Sequence, residues 1–170
     1  MARTPRCRRF VLVPRPEDFD KTITLDQILE PGDDENRFSN SKVGQIVGYV
    51  KDVRMGGVES CNCNAKDALY RNTHIELVRN PSETDKTKRM VVEVTPRWRE
   101  IMKRRGNDWT TTGLRTKILG RWVKVQGWMF FDVEYKNGAE NTNPGDKGNW
   151  RATAWEIHPV TRIDLVDRPK

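Results

Sequence analysis

Lys88-Arg89-Met90-Val91-Val92-Glu93-Val94-Thr95-Pro96-Arg97-Trp98-Arg99-Glu100-Ile101-Met102 changes its periodicity in mid-run. Residues 88–94 are rich in valine, with Glu93 as the interruption, and read as a β-strand. Thr95-Pro96 then carries the signature of a helix start, Thr as N-cap and Pro at the first helical position. Trp98, Ile101 and Met102 follow at i, i+3 and i+4, so the spacing predicts a helix to about residue 105, ahead of Gly106-Asn107. A helix entered directly from a strand constrains everything on either side of it.

Upstream, residues 43–53 form a first strand rich in Val, Ile and Tyr, turned by Met55-Gly56-Gly57. Residues 73–79 form a second, ended by Asn80-Pro81-Ser82. Downstream, residues 112–119 add a short helix closed by Gly120, and residues 121–132 make a long fourth strand. A polar loop at 136–149, a place for a lid or binding loop, leads to the last strand at 151–166. Strand, strand, strand, helix, strand, strand is the order of a mainly β, five-stranded OB-like closed barrel with one or two short helices between strands 3 and 4. The barrel domain is expected at 41–166 and a short tail at 167–170. Residues 1–40 contain several prolines, the short apolar set Ile23, Leu25, Ile28 and Leu29, and the acidic turn 31–35, and read as an extension or linker that can dock on a protein partner.

Hydrophobic residues make up 35% of the 170, charged residues 32%, and no stretch approaches the ~20 apolar residues of a membrane-spanning helix, which predicts a soluble protein. The apolar run at 10–13 is too short for a secretory signal, and the compartment is left open. The net charge of +7 favours an anionic ligand, single-stranded nucleic acid among them. Arg3, Arg6, Arg8, Arg9 and Arg15 crowd the N-terminus. Arg97, Trp98, Arg99, Lys103, Arg104 and Arg105 crowd the helix and form a candidate set for phosphate contact and base stacking. An amphipathic helix that packs Trp98 on the core explains the same pattern without a ligand.

Chemistry concentrates elsewhere. His74-Ile75-Glu76 and Glu156-Ile157-His158 mirror each other and hold both histidines of the chain. Side chains alternate along a strand, so each tripeptide presents its His and Glu on one face. In the OB order the third strand lies between the second and the fifth, which lets Glu93 bridge the two. Imidazoles with carboxylates suit one divalent zinc, manganese or iron ion, or a metal-free acid/base pair. Cys61-Asn62-Cys63 is a weak metal signal by spacing and reads first as a polar loop; joined to His74 and His158 it would make four zinc ligands if the loop folds back over the sheet. Cys7 stands apart in the basic tail.

His74-Ile75-Glu76-Leu77, Met90-Val91-Val92-Glu93-Val94-Thr95-Pro96, Gly127-Trp128-Met129-Phe130-Phe131-Asp132 and Trp155-Glu156-Ile157-His158-Pro159-Val160 resemble, in this order, a group of bacterial OB-fold-like proteins of uncharacterised activity. Their pattern is a strand with a His, a strand with Glu before Pro, a Gly-x-x-Phe-Phe-Asp strand and a closing Glu-x-His-Pro strand. The resemblance implies a shared fold and polar cluster, and nominates His74, Glu93, Asp132, Glu156 and His158. An acidic residue common in that group just ahead of the first His is replaced here by Asn72-Thr73.

Three functions fit. In a metal-dependent hydrolase of a phosphodiester or other anionic substrate, His74, Glu93 and His158 bind the cation and Glu156 or Asp132 serves as ligand or base. In a non-catalytic module, the basic helix binds single-stranded nucleic acid. In an interaction protein, the N-terminal extension docks on a partner and the His/Glu set is a buried hydrogen-bond network. Neither a Gly-x-Ser-x-Gly elbow nor a Walker-type phosphate loop occurs in the sequence.

Overall fold

The computed structural model describes residues 13–169, apart from the side chain of Cys61. Arg3, Arg6, Arg8, Arg9 and Cys7 lie outside the described residues. Strands Val43–Met55 (β1), Thr73–Val78 (β2), Met90–Val94 (β3), Trp122–Phe131 (β4) and Trp155–Leu165 (β5) close into a barrel in the order β1-β2-β3-β5-β4. Helices Leu25–Ile28 (α1), Pro96–Arg104 (α2) and Thr111–Ile118 (α3) accompany it. The fold is thus the mainly β, five-stranded closed barrel that the order of elements predicts, with α2 and α3 between β3 and β4. Those helices carry the chain away from β3, so that β5 can enter beside it in parallel; every other pairing is antiparallel.

Strand alternation decides what faces inward. Ile75 and Leu77 of β2, Met90, Val92 and Val94 of β3, and Trp155 and Ile157 of β5 belong to one hydrophobic core. Their neighbours His74, Glu76, Glu93, Glu156 and His158 therefore lie on the opposite, outer face of the same three adjacent strands. They are nonetheless buried: Glu59 of the loop after β1 reaches His74, Arg54 and Arg89 reach Glu76, and Phe130 of β4 stacks edge-on against His158.

Helix α2 begins as its sequence predicts. Thr95 Oγ1 accepts from the Trp98 backbone N–H at 3.3 Å, and Pro96 occupies the first turn, an arrangement that stabilises a helix start by about 1 kcal/mol. Trp98 is 1% exposed within the core, and Ile101 and Met102 pack against it.

The segment expected as an extension or linker is different. Ile23, Leu25, Ile28 and Leu29 join the barrel's core, and Phe19 bridges to Val43. Asp34, fully buried, accepts from Thr153 Oγ1 at 2.6 Å, the Ala154 N–H at 2.9 Å and Asn141 Nδ2 at 3.0 Å, while its own carbonyl takes the Trp155 indole N–H at 2.8 Å. Residues 19–38 are therefore a strap of the barrel. Leu25, Ile28 and Leu29 do have the i, i+3, i+4 spacing of an apolar helix face, but the helix is a single turn of four residues, too short for the pattern to stand out against the prolines and acidic turn around it. β5 starts at Trp155 rather than at residue 151, and just ahead of it the Ala154 N–H goes to Asp34 while the Ala154 carbonyl accepts from the Asp132 N–H. The 136–149 loop is braced from within, with Glu140 accepting from the Gly145 N–H and from Asn149 Nδ2, both at 2.8 Å.

Candidate metal centre

β2, β3 and β5 lie side by side, and His74 of β2 is in direct register with Glu93 of β3. The side chains meet. His74 Nε2 lies 2.7 Å from Glu93 Oε1, and His158 Nδ1 lies 3.2 Å from Glu93 Oε2. Glu93 thus joins the two mirrored tripeptides from the strand between them. The loop after β1 adds Glu59, whose Oε1 is 3.1 Å from His74 Nε2. On the other side Glu156 Oε2 is 3.5 Å from His158 Nδ1. The result is a chain of alternating charge, Glu59, His74, Glu93, His158 and Glu156, each member no more than 6% exposed.

Other side chains hold the outer oxygens of this chain. Asn72 Nδ2 donates to Glu59 Oε2 and to Glu93 Oε2, each at 2.7 Å. Arg151, fully buried, donates from Nη1 to Glu156 Oε1 at 2.6 Å and from Nε to the Thr153 carbonyl at 2.6 Å. Gly56 gives the His74 ring its place: a Cβ there would sit 2.5 Å from Nε2 and 2.8 Å from Cδ2. A side chain at 56 and the imidazole in this position exclude each other.

Burial disfavours the charged form of both imidazoles, yet the surrounding carboxylates win. Glu93 leads, with Glu59 and Glu156, and His74 is raised to about 10; Glu93 and Glu156 raise His158 likewise. Burial pushes Glu93 up, but His158 and His74 hold it below the usual carboxylate range. Arg54 Nη1 lies 3.3 Å from His74 Nδ1, a contact that as a hydrogen bond would need an unprotonated Nδ1. Arg54 also donates from Nη2 to Glu76 at 2.7 Å, and the carboxylates on the other edge of the ring raise its affinity for a second proton. Asp132 follows β4 beside this chain, its N–H bonded to the Ala154 carbonyl at 2.9 Å; burial, with Glu156 next, pushes its carboxyl up to about 7. Tyr135 is pushed up to about 12 by burial and by Glu59 and Glu93.

Among the described residues, Glu59, His74 and Glu93 form one group able to hold a metal ion, and Glu93, Glu156 and His158 form a second, each with its ligand atoms within 4.8 Å of one another. Nearest donor atoms on a tetrahedral ion bound at ~2.0–2.1 Å are about 3.3 Å apart, a spacing that the His–Glu contacts of 2.7 to 3.5 Å bracket. His74, Glu93, Glu156 and His158 therefore meet in one cluster, while Asp132 stands beside it and outside both groups.

Two expectations need correction, and a third holds. Glu76 shares the face of His74, as strand alternation predicts, and is paired there with Arg54 and Arg89, at 2.7 and 2.8 Å, outside both groups. The Cys/Asn loop does fold back over the sheet, but it contributes Glu59; Cys63 is exposed with a left-handed backbone. In the basic set, Trp98 is sealed in the core and has no face for a base, and Arg99 spends its donors on the Leu69 carbonyl at 3.0 Å, the Arg71 carbonyl at 2.5 Å and Thr73 Oγ1 at 3.3 Å. Arg97, Lys103, Arg104 and Arg105 are exposed, Arg104 with Glu100 at 3.0 Å. Glu59, Asn72 and Arg151 are the site residues that no strand pattern marks. The one sequence signal for Arg151 is its position amid Trp150, Ala152, Ala154 and Trp155, apolar company for a guanidinium.

A closed β-barrel carrying two buried His/Glu groups on its outer face is the class that fold and site define. Comparison with known proteins returns no matching family model and no matching curated protein. No helix among the described residues is long and apolar enough to cross a membrane.

Proposed function

We propose that this barrel is a metal-dependent hydrolase of phosphodiesters or related anionic substrates, centred on Glu93. The observation that carries it is the sharing of one buried carboxylate by two His/Glu groups. Buried ion clusters are poor stabilisers compared with apolar packing. Such a cluster on the outer face of a barrel, with its own core already filled, is a functional feature first. Bound zinc, manganese or iron would supply an electrophile for a phosphoryl oxygen and acidify a bound water. A cation would be held by Glu93 with His74 and Glu59 or by Glu93 with His158 and Glu156, and Glu156, pinned by Arg151, would serve as a ligand rather than a base. Asp132, half-buried and with its carboxyl raised to about 7, is the group that would accept a proton from such a water near neutral pH. Exposed Arg97, Lys103, Arg104 and Arg105 draw an anionic substrate toward the molecule.

The test is hydrolysis of bis(p-nitrophenyl) phosphate by metal-depleted and by zinc-, manganese- or iron-loaded protein. Metal-dependent turnover lost in His74→Ala and reduced at least tenfold in Asp132→Asn is expected. Turnover indifferent to metal, or to both substitutions, would overturn the proposal.

A further inference from the structure

The cluster has an internal symmetry that one metal ion would not use. Glu93 divides its carboxylate, Oε1 to His74 at 2.7 Å and Oε2 to His158 at 3.2 Å. Beyond each imidazole stands a second carboxylate, Glu59 on one side and Glu156 on the other. Each of these has one oxygen clamped by a buried donor, Glu59 Oε2 by Asn72 at 2.7 Å and Glu156 Oε1 by Arg151 at 2.6 Å. The remaining oxygens, Glu59 Oε1 and Glu156 Oε2, face the imidazoles at 3.1 and 3.5 Å. Each half offers one imidazole nitrogen, one terminal carboxylate oxygen whose partner oxygen is tied down, and one oxygen of Glu93, of which Oε2 also accepts from Asn72 Nδ2 at 2.7 Å.

We infer that the site holds two divalent cations bridged by Glu93, an inference that rests on the metal-dependent function proposed above. Clamping one oxygen of each terminal carboxylate orients the other as a single-point ligand, which is how outer hydrogen bonds prepare a metal site. Two-metal hydrolytic centres space their ions by ~3.5–4 Å and stabilise the attacking and leaving oxygens of an in-line displacement together. Two divalent cations against the carboxylates of Glu59, Glu93 and Glu156 leave a positive centre. That charge selects a substrate that brings its own negative charge to bridge the ions, and a phosphate ester does so. Glu59 and Glu156 thereby become ligands of equal standing.

Manganese alone is the probe. Full-length protein without a histidine tag is dialysed against Mn²⁺, and bound metal is counted per chain beside low-temperature electron paramagnetic resonance. Two ions per chain with an exchange-coupled spectrum are expected, and Glu59→Gln and Glu156→Gln should each reduce this to one ion with the spectrum of isolated Mn²⁺. One ion per wild-type chain with an isolated-ion spectrum would overturn the paired site and leave a metal-dependent enzyme standing. Folded wild-type protein that binds no Mn²⁺, Zn²⁺ or Fe²⁺ would overturn both. The wild-type count decides the question even if a variant fails to fold.

Discussion

Replacing Glu93 by Gln in metal-free protein isolates the electrostatics of the cluster. Glu93 is 1% exposed and receives His74, Asn72 and His158 at 2.7, 2.7 and 3.2 Å. Glutamine preserves the volume but removes the charge, and its amide NH₂ must face one of these donors. Two imidazolium rings then lose their shared counter-ion, and breaking a buried ion pair from one side costs about 3–5 kcal/mol. A chain of this size loses about 2–4 °C of Tm per kcal/mol, so scanning calorimetry in EDTA at pH 6 should show a fall of about 6–20 °C. The sign with pH is fixed by the direction of the shift. A His raised from 6.5 to about 10 contributes stability that is complete below 6.5 and lost as pH climbs through about 10. The deficit of Glu93→Gln must therefore be largest at pH 6 and shrink toward pH 10. A fall below about 2 °C at pH 6, or a deficit that grows with pH, would refute a protonated His74 held by Glu93.

Gly56→Ala places a methyl 2.5 Å from His74 Nε2 and 3.2 Å from the Asn72 carbonyl, so it should lower stability by about 1–3 kcal/mol and weaken Zn²⁺ binding in calorimetric titration. Metal must displace the protons of His74 and His158, so at pH 7 the binding enthalpy should vary with the ionisation enthalpy of the buffer and report a release approaching one proton per histidine engaged. Asp34→Ala strands the buried donors of Thr153, Ala154 and Asn141, and should cost about 3 kcal/mol or more by urea denaturation, whereas deletion of a true linker residue would cost nothing measurable. Trp98→Ala should lose about 3–5 kcal/mol of stability, while alanine at Arg97, Lys103 or Arg105 should stay within about 0.5 kcal/mol of wild type in the same assay.

What the sequence made legible follows from strand geometry. Period-two alternation put His74, Glu93, Glu156 and His158 on one face once the helix after Val94 placed β3 between β2 and β5, and the barrel has that order. It did not identify Glu59, because a loop residue reaches a site through tertiary contact and carries no period of its own. Nor did it separate His74 from Glu76, which share a face but answer to different neighbours: carboxylates for one, Arg54 and Arg89 for the other. Asn72, one residue ahead of β2, braces two carboxylates, a role that only the tertiary contact with Glu59 and Glu93 reveals. The strap at 19–38 was hidden for a related reason. Its hold on the barrel is a few apolar side chains and one buried carboxylate, Asp34, whose partners lie more than a hundred residues away.

Anomalous diffraction from crystals of untagged protein soaked in Zn²⁺ locates the metal without reference to any reaction. Scattering peaks between Glu93 and the rings of His74 and His158 are predicted, with Glu59 and Glu156 as their outer ligands. A well-ordered cluster with the same His–Glu contacts and no peak at saturating zinc would contradict it.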